Sequence, residues 1–549
     1  MVIRKEHGLI LIFLMILNSC KMNNEQTQRQ NIKKIALEES AKPIRPGIPG
    51  KRPFWNIYSK RFIYAPTFDF EEIENAISYR FSMTTDVDSQ VYVFESKMPW
   101  NPLTPIWLEL PNAVINLQVF ALDENGKVIR KVGERKFLKS PFFEGVSEKP
   151  AFSYKKSGIK SLQGLLKQDK IQYWLKNGKP DPSYPLWVHP TKIMGAVAIG
   201  MIHLADISKD TSESSQAHKM ALIAADFLLS MIEPEGRPLE YWPPTYWDGV
   251  PREAHPVYHD EIMTHYPAEG AMMFLDMYDY TNEEKYYNVA KKIADTYIKT
   301  QESNGTWSQI INTKAGEAIS KNWLIPTKVI EFFNRLIEAY GLTQYENVRD
   351  RAFSWCLKNP VKTFNWQAQF EDTRPKPPYK NMSKNEAVEM AILLLDRAKE
   401  NKVYVELAKE ILRYAEDQFI VWSKNDPVLR WDWFKKDSKW NGTTRDGGCD
   451  WFVPCALEQY KFYTPIGSSN RLMVIVFLKF FEVTGQAIYH AKAEALANTL
   501  IIAQNFHGGG EIPTHLRRNL PELNWINCGV YPALTLIMFD EILNQEIQY

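Results

Sequence analysis

Residues 281–305, TNEEKYYNVAKKIADTYIKTQESNG, and residues 484–508, TGQAIYHAKAEALANTLIIAQNFHG, align without a gap. Tyr489 lies 203 residues after Tyr286, and Thr296 with Thr499, Gln301 with Gln504 and Gly305 with Gly508 keep that offset. A fainter copy carries Tyr404, Ala408, Ile411 and Gln418. In the first copy Tyr286, Ala290, Ile293 and Tyr297 recur at helical spacing and fall on one face. Self-similarity at fixed phase marks stacked copies of one supersecondary unit. Each copy closes on a Gln and then a Gly before a loop, so the unit reads as a helical hairpin.

Similar amphipathic runs begin near Ser161, His189, Gln216, Ala268, Pro326, Tyr345, Asn385, Tyr404, Ser468, Gln486 and Cys528, with a short one near Pro454. About a dozen helices in hairpins, with no terminal repeat that looks like a polar cap, predict a closed ring of six. That is an all-α (α/α)6 toroid over residues 149–549, with an open helical solenoid as the alternative. Upstream, over residues 51–148, the period drops to two. Tyr79, Phe81 and Met83 alternate with polar residues, as do Val91 and Val93, then Leu117, Val119 and Ala121, and DENGK supplies a turn. Such runs predict an N-terminal all-β sandwich of fibronectin or immunoglobulin type, without helices.

Arg4 and Lys5 precede GLILIFLMIL, an apolar run too short to span a bilayer, which ends in Leu17-Asn18-Ser19-Cys20. A charged start, a short apolar stretch and a small residue at the break describe a secretory signal over residues 1–20. The Cys resembles a bacterial lipobox, which implies lipidation at Cys20 and a membrane anchor at the outer membrane. Residues 21–50, rich in Gln, Asn, Lys and Pro, read as a linker. Cys356, Cys449, Cys455 and Cys528 match no zinc spacing and read as buried thiols.

A formal charge of +1 provides no electrostatic footprint for nucleic acid. Aromatic residues stand at 13%, with 17 Trp and 26 Tyr, an excess that burial or a flat ligand must absorb. Three loops concentrate it: residues 240–270, residues 363–381 and residues 430–454. Each mixes Trp or Tyr with carboxylates and Arg, a combination suited to a glycan: rings stack on sugar faces while acids and bases meet hydroxyls.

Cleaving a glycosidic bond requires a proton donor and a second carboxylate. The candidates are Glu371, Asp372, Asp446, Asp450, Asp248, Glu253 and Glu269, and the leading choice pairs Glu371 or Asp372 with Asp446 or Asp450. A His beside a Tyr can instead abstract a proton alpha to a carboxylate, and His265 with Tyr266 would serve a lyase or epimerase. Trp247, Trp366 and Trp451, with His255 and His259, complete the candidate sugar contacts. Arg252, Arg374, Lys380 and Arg445 suggest a uronic acid, since Arg pairs bidentately with carboxylate. No cofactor or metal is called for: His255, His259 and His265 fit no compact zinc motif.

YWPPTYW, HYPAEGA, NWQAQFEDT and CALEQY resemble a β-glucuronidase-type glycoside hydrolase group, family 154, over most of residues 53–549. The resemblance implies a six-hairpin enzyme of bacterial polysaccharide utilisation releasing a terminal uronic acid. Unsaturated glucuronyl hydrolases, several polysaccharide lyases and glucuronyl C5-epimerases share that toroid. A lyase, an epimerase or a non-catalytic glycan-binding lipoprotein therefore stays open beside the hydrolase.

Overall fold

A computed structural model describes residues 26–45, 55, 59–249, 260–367, 369, 382–430, 450–460, 463–519 and 524–546. Among them, twelve helices build the larger part: α1 (Tyr154–Lys167), α2 (Pro190–Ile207), α3 (Thr211–Leu229), α4 (Tyr266–Thr281), α5 (Glu284–Thr300), α6 (Thr327–Tyr340), α7 (Glu346–Cys356), α8 (Asn385–Asp396), α9 (Val403–Phe419), α10 (Gly467–Thr484), α11 (Ala487–Phe506) and α12 (Ile526–Glu546). Local chemistry sets their ends. Asp210 caps α3 by accepting from the Ser212 and Glu213 amides. Gly341 and Gly485 close α6 and α10 in the left-handed region.

The helices sort into two rings by hydrophobic pattern. Those buried nearly all round (α2, α4, α8, α10, α12) and the strongly amphipathic α6 stand inside, each against the next, and α12 returns to α2. The partners α3, α5, α7, α9, α11 and α1 stand outside, each packed on its own inner helix. The first helix, α1, packs on the last, α12, so the ring is closed and the solenoid is excluded. The repeat follows from this geometry. Gln301 Nε2 donates to the Val348 carbonyl on the next outer helix at 2.9 Å, and Gln504 Nε2 donates to the Ser157 carbonyl on α1 at 3.1 Å. Each also ties down its own loop, at Gly305 and Gly510. The fainter Gln418 donates instead to the Arg61 carbonyl in the N-terminal sheet, at 2.9 Å.

That sheet meets the expectation of an N-terminal β-sandwich only in part. It is one curled five-stranded sheet ordered β1-β5-β4-β2-β3, from β1 (Arg61–Phe62), β2 (Ser78–Thr85), β3 (Tyr92–Ser96), β4 (Val114–Leu122) and β5 (Val128–Lys139). Its strands pair antiparallel except β1 with β5. A short helix, Thr104–Trp107, covers part of it. On β3 the buried residue is Tyr92, while Val91 and Val93 are exposed, the reverse of the face their alternation suggested. Near Pro454 the chain forms a two-residue strand, Cys455–Ala456, rather than a helix.

The segment expected to be a tether is partly built into the fold. Residues 26–40 form a helix whose Ile32 and Ala36 are buried. Glu39 pairs with Lys409 and Arg45 with Glu410 on α9, at 2.7 and 2.6 Å. Beneath it, sheet and ring share buried charges. Arg61 meets Asp426 at 2.8 Å and the Ile420 carbonyl at 2.8 Å, while Asp417 accepts from the Ile63 and Tyr64 amides. Lys492 and Trp422 hold Glu416 at 2.7 and 3.0 Å.

Candidate functional site

The inner helices all begin at one end of the ring. Their first five residues supply the chemistry: Lys192 on α2, Glu269 on α4, Lys328 and Glu331 on α6, Glu386 and Glu389 on α8, Ser468 and Arg471 on α10, Asn527 on α12. Together they line a cavity of about 760 Å³. One or two turns deeper its wall becomes largely apolar, with Ile199, Met272, Ile475, Leu534 and Met538. An aromatic edge is supplied by Trp525, Tyr246, Tyr266 and Tyr531. Trp525 stacks on His189 with ring centroids 5.5 Å apart, and Lys192 Nζ lies 4.9 Å from its ring.

Glu386 stands out among the carboxylates. It lies in the first turn of α8, after Ser383, whose Oγ accepts from the Asn385 amide at 3.1 Å. Hydrogen bonds from Ser383 and from its own amide favour the carboxylate, but burial and the nearby Glu389 outweigh them and push its pKa up to about 7. Its Oε2 is shielded from solvent and has no hydrogen-bond partner. The other acids of the site are answered. Glu389 accepts from Thr327 Oγ1 at 2.7 Å and pairs with Lys328 at 3.1 Å. Burial alone would lower the Lys328 ammonium, but the charges of Glu389, Glu331 and Glu269 raise it instead. Asp276, at the deep end, pairs with Arg335 at 2.6 Å. Burial pulls Lys384 below the ordinary lysine range, while its Nζ donates to the Glu458 carbonyl at 2.9 Å.

Imidazoles form a second set. His265, just before the first turn of α4, packs on Tyr266 with centroids 4.1 Å apart, and both border the cavity. His515 borders it too; burial, with Arg517 nearby, lowers its pKa to about 4, so it is neutral at physiological pH.

Of the residues singled out in the sequence, His265, Tyr266 and Glu269 thus meet at the cavity. Trp366 is fully buried, edge-on to Phe364, and does not border the cavity. Trp247 packs edge-on to Phe227 at 5.5 Å, and Trp451 is buried in a bridge to Arg517; neither borders the cavity. Asp450 lies away from it, where its carbonyl accepts from the Arg518 amide. Asp248 is exposed. Glu371, Asp372, Arg374, Lys380, Arg445, Asp446, Arg252, Glu253, His255, His259 and Cys20 lie outside the described residues. Glu386 and Arg471 escaped sequence reading, although the i, i+3 pair Glu386 and Glu389 was a visible signal.

No family model matches the chain, and no curated protein matches it. Solved structures of carbohydrate-active enzymes are similar to it. A family 76 glycoside hydrolase from Bacteroides thetaiotaomicron is 12% identical, spans 86% of this chain and 95% of its own, and gives a TM-score of 0.47. Cellobiose 2-epimerase from Spirochaeta thermophila is 10% identical over 71% of this chain and 98% of its own, with a TM-score of 0.47. An unsaturated glucuronyl hydrolase from Streptococcus agalactiae is 13% identical over 70% and 91%, with a TM-score of 0.43.

Proposed function

We propose that this chain is a carbohydrate-active enzyme, a glycoside hydrolase that releases a terminal uronic acid, β-glucuronic acid in the first instance, from a polysaccharide or oligosaccharide. The observation that carries the proposal is Glu386: a cavity-lining carboxyl, protonated near neutral pH, whose Oε2 has no hydrogen-bond partner. Such a group donates its proton to a glycosidic oxygen as the bond to the anomeric carbon breaks. Glu269, on α4, takes the second role, as base toward water or as nucleophile toward the anomeric carbon. Trp525 supplies the stacking face. Signal and lipobox place the mature protein, in this proposal, at the outer membrane through a lipid on Cys20.

A second reading has its own support. A neutral His515, with His265 against Tyr266, is the equipment for removing a proton alpha to a uronate carboxylate, the step shared by lyases and epimerases. Incubation with uronic-acid oligosaccharides in heavy-oxygen water separates the two. A released uronic acid carrying the label at its anomeric hydroxyl supports hydrolysis. An unlabelled product with a new double bond sinks it and moves the chemistry to the imidazoles.

A further inference from the structure

We propose that Arg471 reads an anionic substituent on the sugar and thereby sets substrate selectivity, an inference that builds on the glycan reading of the cavity. Many buried or half-buried cations of the fold are answered by an acid, and others, such as Lys384 and Lys139, by a carbonyl oxygen. Arg61 has Asp426, Lys492 has Glu416, Lys328 has Glu389, and Arg335 has Asp276 and Asp279. Arg471 has neither among the described residues. It is half-buried on α10, its Nε is shielded from solvent without a hydrogen-bond partner, and it forms no ion pair among the described residues. A partly shielded guanidinium with no acid beside it is open to pairing with an incoming anion.

Its surroundings shape the demand. The guanidinium carbon lies 5.5 Å from the Tyr531 ring centroid, within cation–π range. Asn527, one turn before Tyr531 on the same face of α12, has a buried Oδ1 with no partner, an acceptor suited to a sugar hydroxyl beside the anion. The cavity's charges are also unevenly spread. Glu269, Glu386 and Glu389 stand on α4 and α8 with Lys328 between them on α6, where it pairs with Glu389, whereas Arg471 and Lys192 stand on α10 and α2, on either side of α12. An anionic sugar placed with its charge on Arg471 therefore presents its remaining atoms toward the carboxylates. The ligand chemistry is a planar carboxylate or a sulfate ester, both of which accept two parallel N–H bonds from Arg.

The test is calorimetric binding of glucuronate, glucose 6-sulfate and glucose to the full chain, to Arg471→Gln and to Arg471→Lys. Wild type is expected to favour one anionic sugar over glucose by tenfold or more, and the tighter of the two names the substituent. Arg471→Gln should abolish that preference while leaving glucose affinity within about threefold, and Arg471→Lys should keep part of it, having charge without the fork. Equal affinity of wild type for all three sugars, no measurable binding of any, or an equal loss for every sugar in Arg471→Gln would overturn the proposal. The readout needs no turnover, so it is separable from the hydrolase reading. Anion preference dependent on Arg471 without bond cleavage would leave this inference standing alone, and cleavage without such dependence would do the reverse.

Discussion

At the scale of single residues the account turns on a carboxyl that is costly to keep. The Glu386 side chain titrates near 7 in the folded protein against an ordinary 4.5. Because its folded pKa is raised, its contribution to stability is full below about pH 4.5 and declines as pH rises toward 7. Gln removes that dependence while keeping the shape. The melting temperature of Glu386→Gln should therefore exceed that of wild type by a margin that widens between pH 5 and pH 8, and a constant or shrinking margin would count against the raised pKa. The same titration governs chemistry with the acid limb reversed in meaning: the proton donor is lost above about pH 7, so kcat/KM should fall there with a slope of one proton. Glu386 was hard to find in the sequence for a physical reason. A Glu three residues after a Ser at a helix start is ordinarily a cap, and only the surrounding ring shows that one of its oxygens has no partner. The loop acids attracted attention because they sit among aromatics, yet Trp366 and Trp451 are core residues here.

At the scale of elements, the hairpin repeat was legible because its conserved-looking positions are the joints between neighbouring outer helices, Gln301 to α7 and Gln504 to α1. The seam where the ring closes is correspondingly tight. A Cβ added at Gly158 on α1 would lie 2.5 Å from the Ala533 carbonyl oxygen and 2.6 Å from Ile537 Cγ1 on α12. Gly158→Ala should destabilise the protein by about 1–3 kcal/mol in urea unfolding; no loss would mean that the seam yields easily. The β module was legible as strands but not as a single sheet, because alternation says which residues share a face and not what covers it. Part of what covers it is the ring, through α9 against β1. The joint there is a buried ion pair, so Asp426→Ala, which strands Arg61, is expected to cost roughly 3–5 kcal/mol. A cost below 1 kcal/mol would show that the pair contributes little to joining the two parts.

At the scale of the molecule, closure of six hairpins brings the first turns of six inner helices around one cavity. No local stretch of sequence announces that convergence, since its members come from positions as far apart as Lys192 and Tyr531. Lys192, Lys328 and Arg471 read individually as ordinary helix-surface charges; closure alone turns them inward. The resulting site gathers its carboxylates with Lys328 on α4, α6 and α8, keeps Arg471 and Lys192 on α10 and α2, and places an aromatic ring at its edge. Its central claim is that Glu386 protonates the departing glycosidic oxygen. The most direct test compares Glu386→Gln with wild type on two uronides: a natural oligosaccharide, whose leaving alcohol needs a proton, and a dinitrophenyl uronide, whose leaving group does not. The account predicts that kcat falls by about a hundredfold or more on the first and changes little on the second. Equal losses on both, or an undiminished rate on the natural oligosaccharide, would contradict it.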